Sequence, residues 1–551
     1  MPTVEARVRH HWHAMTHRAP NPRAPNRASR FRLVVLVLAL GVVLVAAARL
    51  LSPPGDGRGP SGIQAAAADT TSPRSTLPLT TTPLSTVPVP ETTTIPTTTT
   101  TTLPTRPANV VPAWTVGRPW GQVVGLTMFR GNPTRSWYGV GPVPTDPTNL
   151  WHFPDSGGMC GQSSVGGVSK QWCGSGWTGQ PVVWERPDGT TEVIFGAYDK
   201  AVHFLNAATG LPTRPSFPTG DIIKGSVTLD PDGYPLLYTG SRDNKLRAIA
   251  LDRDRPTELW SLDANVVNGI WNNDWDGNPV VIDDILYEGG ENSWFFAVAL
   301  NRGYDSDGLV TIDPQMLVAI PGYNQELLDK VGRNVSIENS VAVFGQRVYF
   351  SNSGGRVLGL DVSNVRQGDA PIAFDYWVGD DVDASIVVDS EGMLYVSVED
   401  ERHNQRSKDL GQLIKLDPYA DGDPYVWGVP DPGKNGGDGG FWATPALGDG
   451  YLYTQSHTGR IIAVDTDTGE VVWEKPVTPH TWSSPVIVDN TLIAATCGGD
   501  INAWSLADPA NPTPLWSHHL SDSCIESTPA VWKGRLYVGS RDGKFYAVGD
   551  G

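Results

Sequence analysis

WATPALGDGYLYTQSHTGRIIAVDTDTGEVVWEKP, residues 442–476, holds four short hydrophobic runs separated by turn residues. Thr444-Pro445 leads into the first run, and Asp449-Gly450 turns into Tyr451-Leu452-Tyr453. Thr458-Gly459 turns into Ile461-Ile462-Ala463-Val464-Asp465, and Thr468-Gly469 ends in a run carrying Trp473. Apolar–polar alternation reads as strand, and Gly or Asp/Asn punctuation between strands reads as hairpin turns. Four antiparallel strands joined by hairpins make one blade of a β-propeller.

The phrase recurs. WSSPVIVDNTLIAATCGGDINAWSLADPANPTPLW spans 482–516, and ESTPAVWKGRLYVGSRDGKFYAVGDG spans 526–551. Weaker copies begin near Thr178, Lys224, Asp276, Glu338 and Asp383, which predicts eight blades. A tryptophan recurs in the predicted outer strands at Trp260, Trp377, Trp427, Trp473 and Trp516, but the last copy stops at Gly551 without one. Far upstream, Asn149-Leu150-Trp151-His152-Phe153 has that pattern with no blade before it. We expect this strand to complete the last blade and close the ring, removing open sheet edges.

The phrase A-V-D-x-x-T-G-x-x-x-W at 463–473 resembles the pyrroloquinoline-quinone (PQQ) repeat of the quinoprotein family, and Met128-Phe129-Arg130-Gly131-Asn132-Pro133-Thr134-Arg135 is similar to the lead-in of those propellers. The resemblance covers roughly residues 120–551. The expected fold is therefore all-β, an eight-bladed quinoprotein-like propeller over residues 113–551.

Propeller blades present their first strands to the central channel, so residues leading into those strands converge on one mouth. Stepping back three positions from the Pro-equivalent gives Thr178, Lys224, Asp276, Glu338, Asp383, Trp442, Trp482 and Glu526, each followed by small or amide residues. Carboxylates with Asn272, Asn273 or Asn339 suit a hard cation such as Ca²⁺, with Glu338, Asn339 and Asp383 as the metal candidates. Tryptophan rings suit stacking on a flat ligand or a sugar. A hydrated polar mouth without a ligand is the competing reading. The run Gly379-Asp380-Asp381-Val382-Asp383 adjoins the channel and is the acidic stretch with most bearing on it. Asp305-Ser306-Asp307-Gly308 starts like a calcium loop but lacks the closing Glu, and reads as a turn. No catalytic triad, P-loop or dinucleotide fingerprint can be placed.

Residues 1–50 carry eight Arg against Glu5 alone, so with a net charge of −18 for the whole chain the remainder carries about −25. An acidic body excludes a nucleic-acid partner. Leu33–Ala48 is unbroken apolar sequence flanked by basic residues on its N-terminal side. A span needs ~17–25 such residues, so we expect a signal-anchor over 33–51, a cytoplasmic tail over 1–32 and the rest outside the cell membrane. The alternative is cleavage near Ala46-Ala47-Ala48 and secretion. Residues 52–112, rich in Pro and Thr, read as a stalk that cannot bury apolar surface. Four cysteines fit an oxidising compartment; of three pairings the natural one is Cys160–Cys173 with Cys497–Cys524.

The resemblance implies two functional branches. Enzymatic members bind PQQ and Ca²⁺ at the mouth and oxidise alcohols or sugars, many using an adjacent Cys-Cys pair that this chain lacks. Other members lose the cofactor and bind partner proteins of the envelope. The stalk, the absent cysteine pair and the absent catalytic motif favour a non-catalytic envelope scaffold with a protein or glycan partner. The alternative is a divergent dehydrogenase with Lys224 clamping PQQ, Glu338 and Asn339 holding calcium, and Asp276 or Asp383 as base. A second alternative is a carbohydrate-binding propeller using Trp442 and Trp482.

Overall fold

The computed structural model describes residues 109–551, except 166–167, 178, 478–479 and 481. The predicted tail, the anchor and most of the stalk lie outside the described residues. Among those described, no helix is long and apolar enough to cross a membrane. The predicted stalk boundary runs slightly too far. Val111 is buried and bridges Gly345, with Val111 N donating to Gly345 O at 2.9 Å, so 109–112 already belong to the folded body.

Eight sheets, each built on a four-stranded antiparallel meander, follow one another in chain order, with their first strands starting at Val182, Thr228, Val280, Ala342, Val387, Ala446, Val486 and Ala530. They are numbered blades 1 to 8 in that order. Each blade buries its first strand and exposes its fourth, so the first strands face the axis. The core lies in the wedges between blades. One cluster joins Val280 and Phe295 of blade 3 to Val343 and Phe350 of blade 4, and another joins Val538 of blade 8 to Val486 of blade 7. Apolar strand faces become dry only when the neighbouring blade covers them, which makes a ring the stable form.

Closure is as expected. Pro147–Phe153 pairs antiparallel with Phe545–Asp550, placing Trp151 opposite Ala547 as the fourth strand of blade 8. Phe195 of blade 1 then stacks on Phe545 of blade 8 with ring centres 3.8 Å apart.

The repeat motif has a mechanical explanation. Asp465 Oδ1 accepts from the Asp467 and Thr468 backbone N–H at 3.0 and 2.8 Å, capping the turn. Gly469, at φ +74°, then lets Trp427 of the preceding blade lie against it; a Cβ there would meet the indole at 2.7 Å. Trp427 Nε1 donates to Thr466 O at 2.9 Å. Blade 8 meets blade 1 in the same way: Trp151 packs on Gly210 and donates to Ala207 O at 3.2 Å. The motif is thus an inter-blade latch. Trp377 is the exception to the expected series. Its strand is in register with Phe374 opposite Gly359, where blades 2, 5, 6, 7 and 8 put Trp, while Trp377 Nε1 bonds Gly354 O within its own blade.

Residues 125–140 cross the axis and touch all eight blades. Gly125-Leu126 pairs with blade 1, and Gly139-Val140 pairs parallel with blade 8. Thr127, Pro133 and Thr134 carbonyls accept from Leu229, Val343 and Val388 of blades 2, 4 and 5. Arg130, fully buried, donates to Thr444 O, Pro445 O and Pro485 O of blades 6 and 7 at 2.6–3.3 Å. Arg135 donates to Asn278 of blade 3 and Val341 O of blade 4. Their planar forks suit such convergent carbonyls. Burial lowers the pKa of both, that of Arg135 to about 9. The lead-in is therefore a plug through the ring.

Candidate binding site at the channel mouth

The position just before each Pro-equivalent explains why the ring residues have small neighbours. Backbone N–H groups of Gln180, Asn278, Ser340, Ser385 and Thr444 donate to the hydroxyls of Ser226, Ser340, Ser385, Thr444 and Ser484 on the next blade, at 2.8–3.0 Å. This girdle sets the first strands side by side and holds the ring residues above the plug.

Seven of the eight predicted ring residues are described; Thr178 lies outside the described residues. Lys224 and Asp276 form an ion pair, and Lys224 Nζ also lies 3.1 Å from Glu291 and 3.7 Å from Asp274. Arg242 Nε adds a 2.6 Å contact to Asp274. Burial is the largest influence on the Lys224 ammonium and opposes its charge. The facing carboxylates outweigh it and hold the group well above the ordinary lysine range. Glu338 and Asp383 meet across Ser353, whose hydroxyl lies 3.3 Å from an oxygen of each. Glu526 is buried, which raises its pKa, and faces Arg541 at 3.5 Å.

Trp442 and Trp482 stack 5.3 Å apart, are 4% and 3% exposed, and are flanked by His457 and Trp177. Their faces are occupied by protein rather than presented to a sugar. Trp482 Nε1 donates to His457 Nδ1 at 3.1 Å, which leaves that nitrogen without a proton. Burial, followed by neighbouring His480, lowers the His457 pKa to about 3.

Asn339 does not behave as a metal ligand. Its Nδ2 donates to Ser351 O, Ser351 Oγ and Val382 O at 2.9–3.1 Å, and its Oδ1 accepts from Ser351 N. It fastens blade 4 to the loop leading into blade 5. Asn273 Nδ2 donates to Asn265 Oδ1 at the surface. Asp305 accepts from Asp307 N and Leu309 N in a small hairpin, as its turn reading predicts.

A PQQ-type tricarboxylate needs cations free to meet it. Here Lys224, Arg242 and Arg541 already face buried carboxylates, and Glu338 and Asp383 add negative charge. The mouth does not fit that cofactor.

Among the described residues, two groups of acids converge closely enough to share an ion, with one oxygen of each member within 4.8 Å of the others: Asp274, Asp276 and Glu291, and Asp381, Glu399 and Glu401. Sequence reasoning reached Asp276 and the 379–383 run but missed Asp274, two residues before Asp276, and Glu291, Glu399 and Glu401. The three glutamates lie in or beside the turns between second and third strands, a position that the first-strand alignment does not sample.

Fold, closure and repeat define the class: a PQQ-repeat β-propeller of eight blades. Residues 411–550 match the family model described as outer membrane protein assembly factor BamB. The outer membrane protein assembly factor BamB of Moranella endobia (strain PCIT) is 30% identical over 101 residues, 18% of this chain and 25% of that relative. The match thus spans about a quarter of the relative's length. Among solved structures, quinohemoprotein alcohol dehydrogenase ADHIIG from Pseudomonas putida HK5 gives a TM-score of 0.53 at 11% identity, covering 80% of this chain and 82% of that one. Quinohemoprotein alcohol dehydrogenase from Comamonas testosteroni gives 0.49 at 12%, covering 77% and 80%. At such identity the structural likeness speaks for the fold alone.

Proposed function

We propose that this propeller is a non-catalytic binding module of the cell envelope, held outside the membrane by residues 33–51 and a Pro/Thr-rich stalk, with a protein partner. The observation that carries the reading is that the cations and the stacked indoles of the mouth are already engaged within the protein. Lys224 is held among Asp276, Glu291 and Asp274, and Trp442 and Trp482 cover each other. The match of residues 411–550 to an outer membrane protein assembly factor supports it from the sequence side.

Titrating the purified full-length chain with PQQ and Ca²⁺, following tryptophan fluorescence and dye-coupled alcohol oxidation, tests the reading. No cofactor-dependent quenching and no turnover up to millimolar PQQ is expected. Saturable quenching with turnover would establish the dehydrogenase instead. Protease protection in intact cells tests the topology: residues 113–551 should be digested from outside while residues 1–32 survive.

A further inference from the structure

We propose that Asp381, Glu399 and Glu401 form a divalent-cation site, best suited to Ca²⁺, that ties the loop leading into blade 5 to the loop after that blade's second strand. Asp381 comes from the loop leading into blade 5. Glu399 and Glu401 come from the loop after that blade's second strand. The backbone brings them together: Glu399 N donates to Asp381 O at 2.8 Å, and Glu399-Asp400 pairs antiparallel with Gly439-Gly440 just before Trp442.

Glu399 is the decisive residue. It is fully buried, its oxygen converges on those of Asp381 and Glu401, and neither of its carboxylate oxygens receives a hydrogen bond from any described residue. A buried carboxylate without a donor is costly unless it is neutralised or coordinated. Burial bears on it most, and among the described residues no cation is recorded against it. Asp383, Asp381, Glu401 and Glu338 all act on it as like charges. The cation at this cluster's edge, Arg402, lies 3.2 Å from Asp380 and 3.8 Å from Asp381. The three ligands offer oxygen alone, with no imidazole or thiol, which selects a hard cation. Mono- or bidentate binding, completed by water, reaches the ~6–8 oxygens that Ca²⁺ takes, whereas Mg²⁺ demands stricter geometry. The site is built within one blade and its neighbour's lead-in, so it does not depend on any ligand in the central mouth.

The test is calorimetric titration of the full-length chain, stripped with EDTA, with CaCl₂ and separately MgCl₂, together with thermal unfolding in each salt. Wild type should take up one Ca²⁺ saturably and unfold at higher temperature in Ca²⁺, with a weaker response to Mg²⁺. Glu399→Gln should weaken binding at least ~10-fold and remove the thermal shift, because a site's affinity follows its ligand charge count. Glu401→Gln, at the half-buried rim, serves if Glu399→Gln fails to fold, and should also weaken binding. Absence of Ca²⁺ uptake by wild type up to millimolar would overturn the site. So would unchanged affinity in both variants. Glu399 would then be a protonated acid rather than a ligand.

Discussion

The two acid clusters of the mouth are built alike and neutralised differently. In blade 3, Asp274, Asp276 and Glu291 converge around the Lys224 ammonium delivered by blade 2, with Arg242 behind. In blade 5, Asp381, Glu399 and Glu401 converge with equal closeness, yet Arg402 reaches only the edge and Glu399 accepts no hydrogen bond from a described residue. One cluster carries its counter-cation in the chain; the other has the charge and shape to take it from solution. A covalently attached ammonium costs no binding from solution, whereas a borrowed ion makes stability depend on its concentration.

The largest expected effect comes from removing the internal cation. Lys224→Met leaves three buried carboxylates facing one another and should cost about 3–5 kcal/mol in EDTA, read by denaturant unfolding. Added Ca²⁺ should restore part of this loss, because blade 3 then resembles blade 5. A variant as stable as wild type in EDTA would break the comparison.

Arg402→Ala should cost less, about 1–3 kcal/mol, since it removes charged hydrogen bonds at a partly exposed edge. It should also enlarge the thermal shift produced by Ca²⁺. An unchanged shift would place Arg402 outside the cluster's electrostatics.

The aromatic quarter of the mouth separates acid effects from cation effects. His457 is held neutral, its pKa lowered to about 3 against ~6.5 for an unfolded imidazole. Its contribution is therefore full above about pH 6.5 and is lost as pH falls through 3. At pH 5 the loss is about 2 kcal/mol. Unfolding curves from pH 7 to pH 5 should show this loss with or without Ca²⁺, and His457→Gln should flatten it. Smallest of all, Asp305→Ala in the exposed hairpin should shift stability by no more than ~1 kcal/mol and leave Ca²⁺ uptake unchanged.

Legibility differed by part of the molecule. The Thr-Gly turn and the Trp of the repeat were readable because they recur a few residues apart in copy after copy, although the latch itself joins one copy to the next, as Trp427 to Thr466. Trp151 was readable because its absence from the last copy had to be made good elsewhere. Trp377 misled because it lies three residues beyond the bulged position that carries Trp in blades 5 and 6, and in blade 4 that position is Phe374, opposite Gly359. Asn339 had the right chemistry for a ligand, but only the fold shows that its amide is taken by Ser351 and Val382.

By itself the sequence determined the blade count, the closing strand and the disulfides Cys160–Cys173 and Cys497–Cys524, both formed. It did so because repeats and nearby cysteines constrain structure over short spans. Tertiary structure alone decided how the mouth's charges are shared out. It brought Glu291 to Lys224 and left Glu399 among acids, and it turned the lead-in into a plug touching every blade. Those outcomes depend on which loops from separate blades meet at the axis, and burial there determines whether a charge is paired or left waiting for an ion.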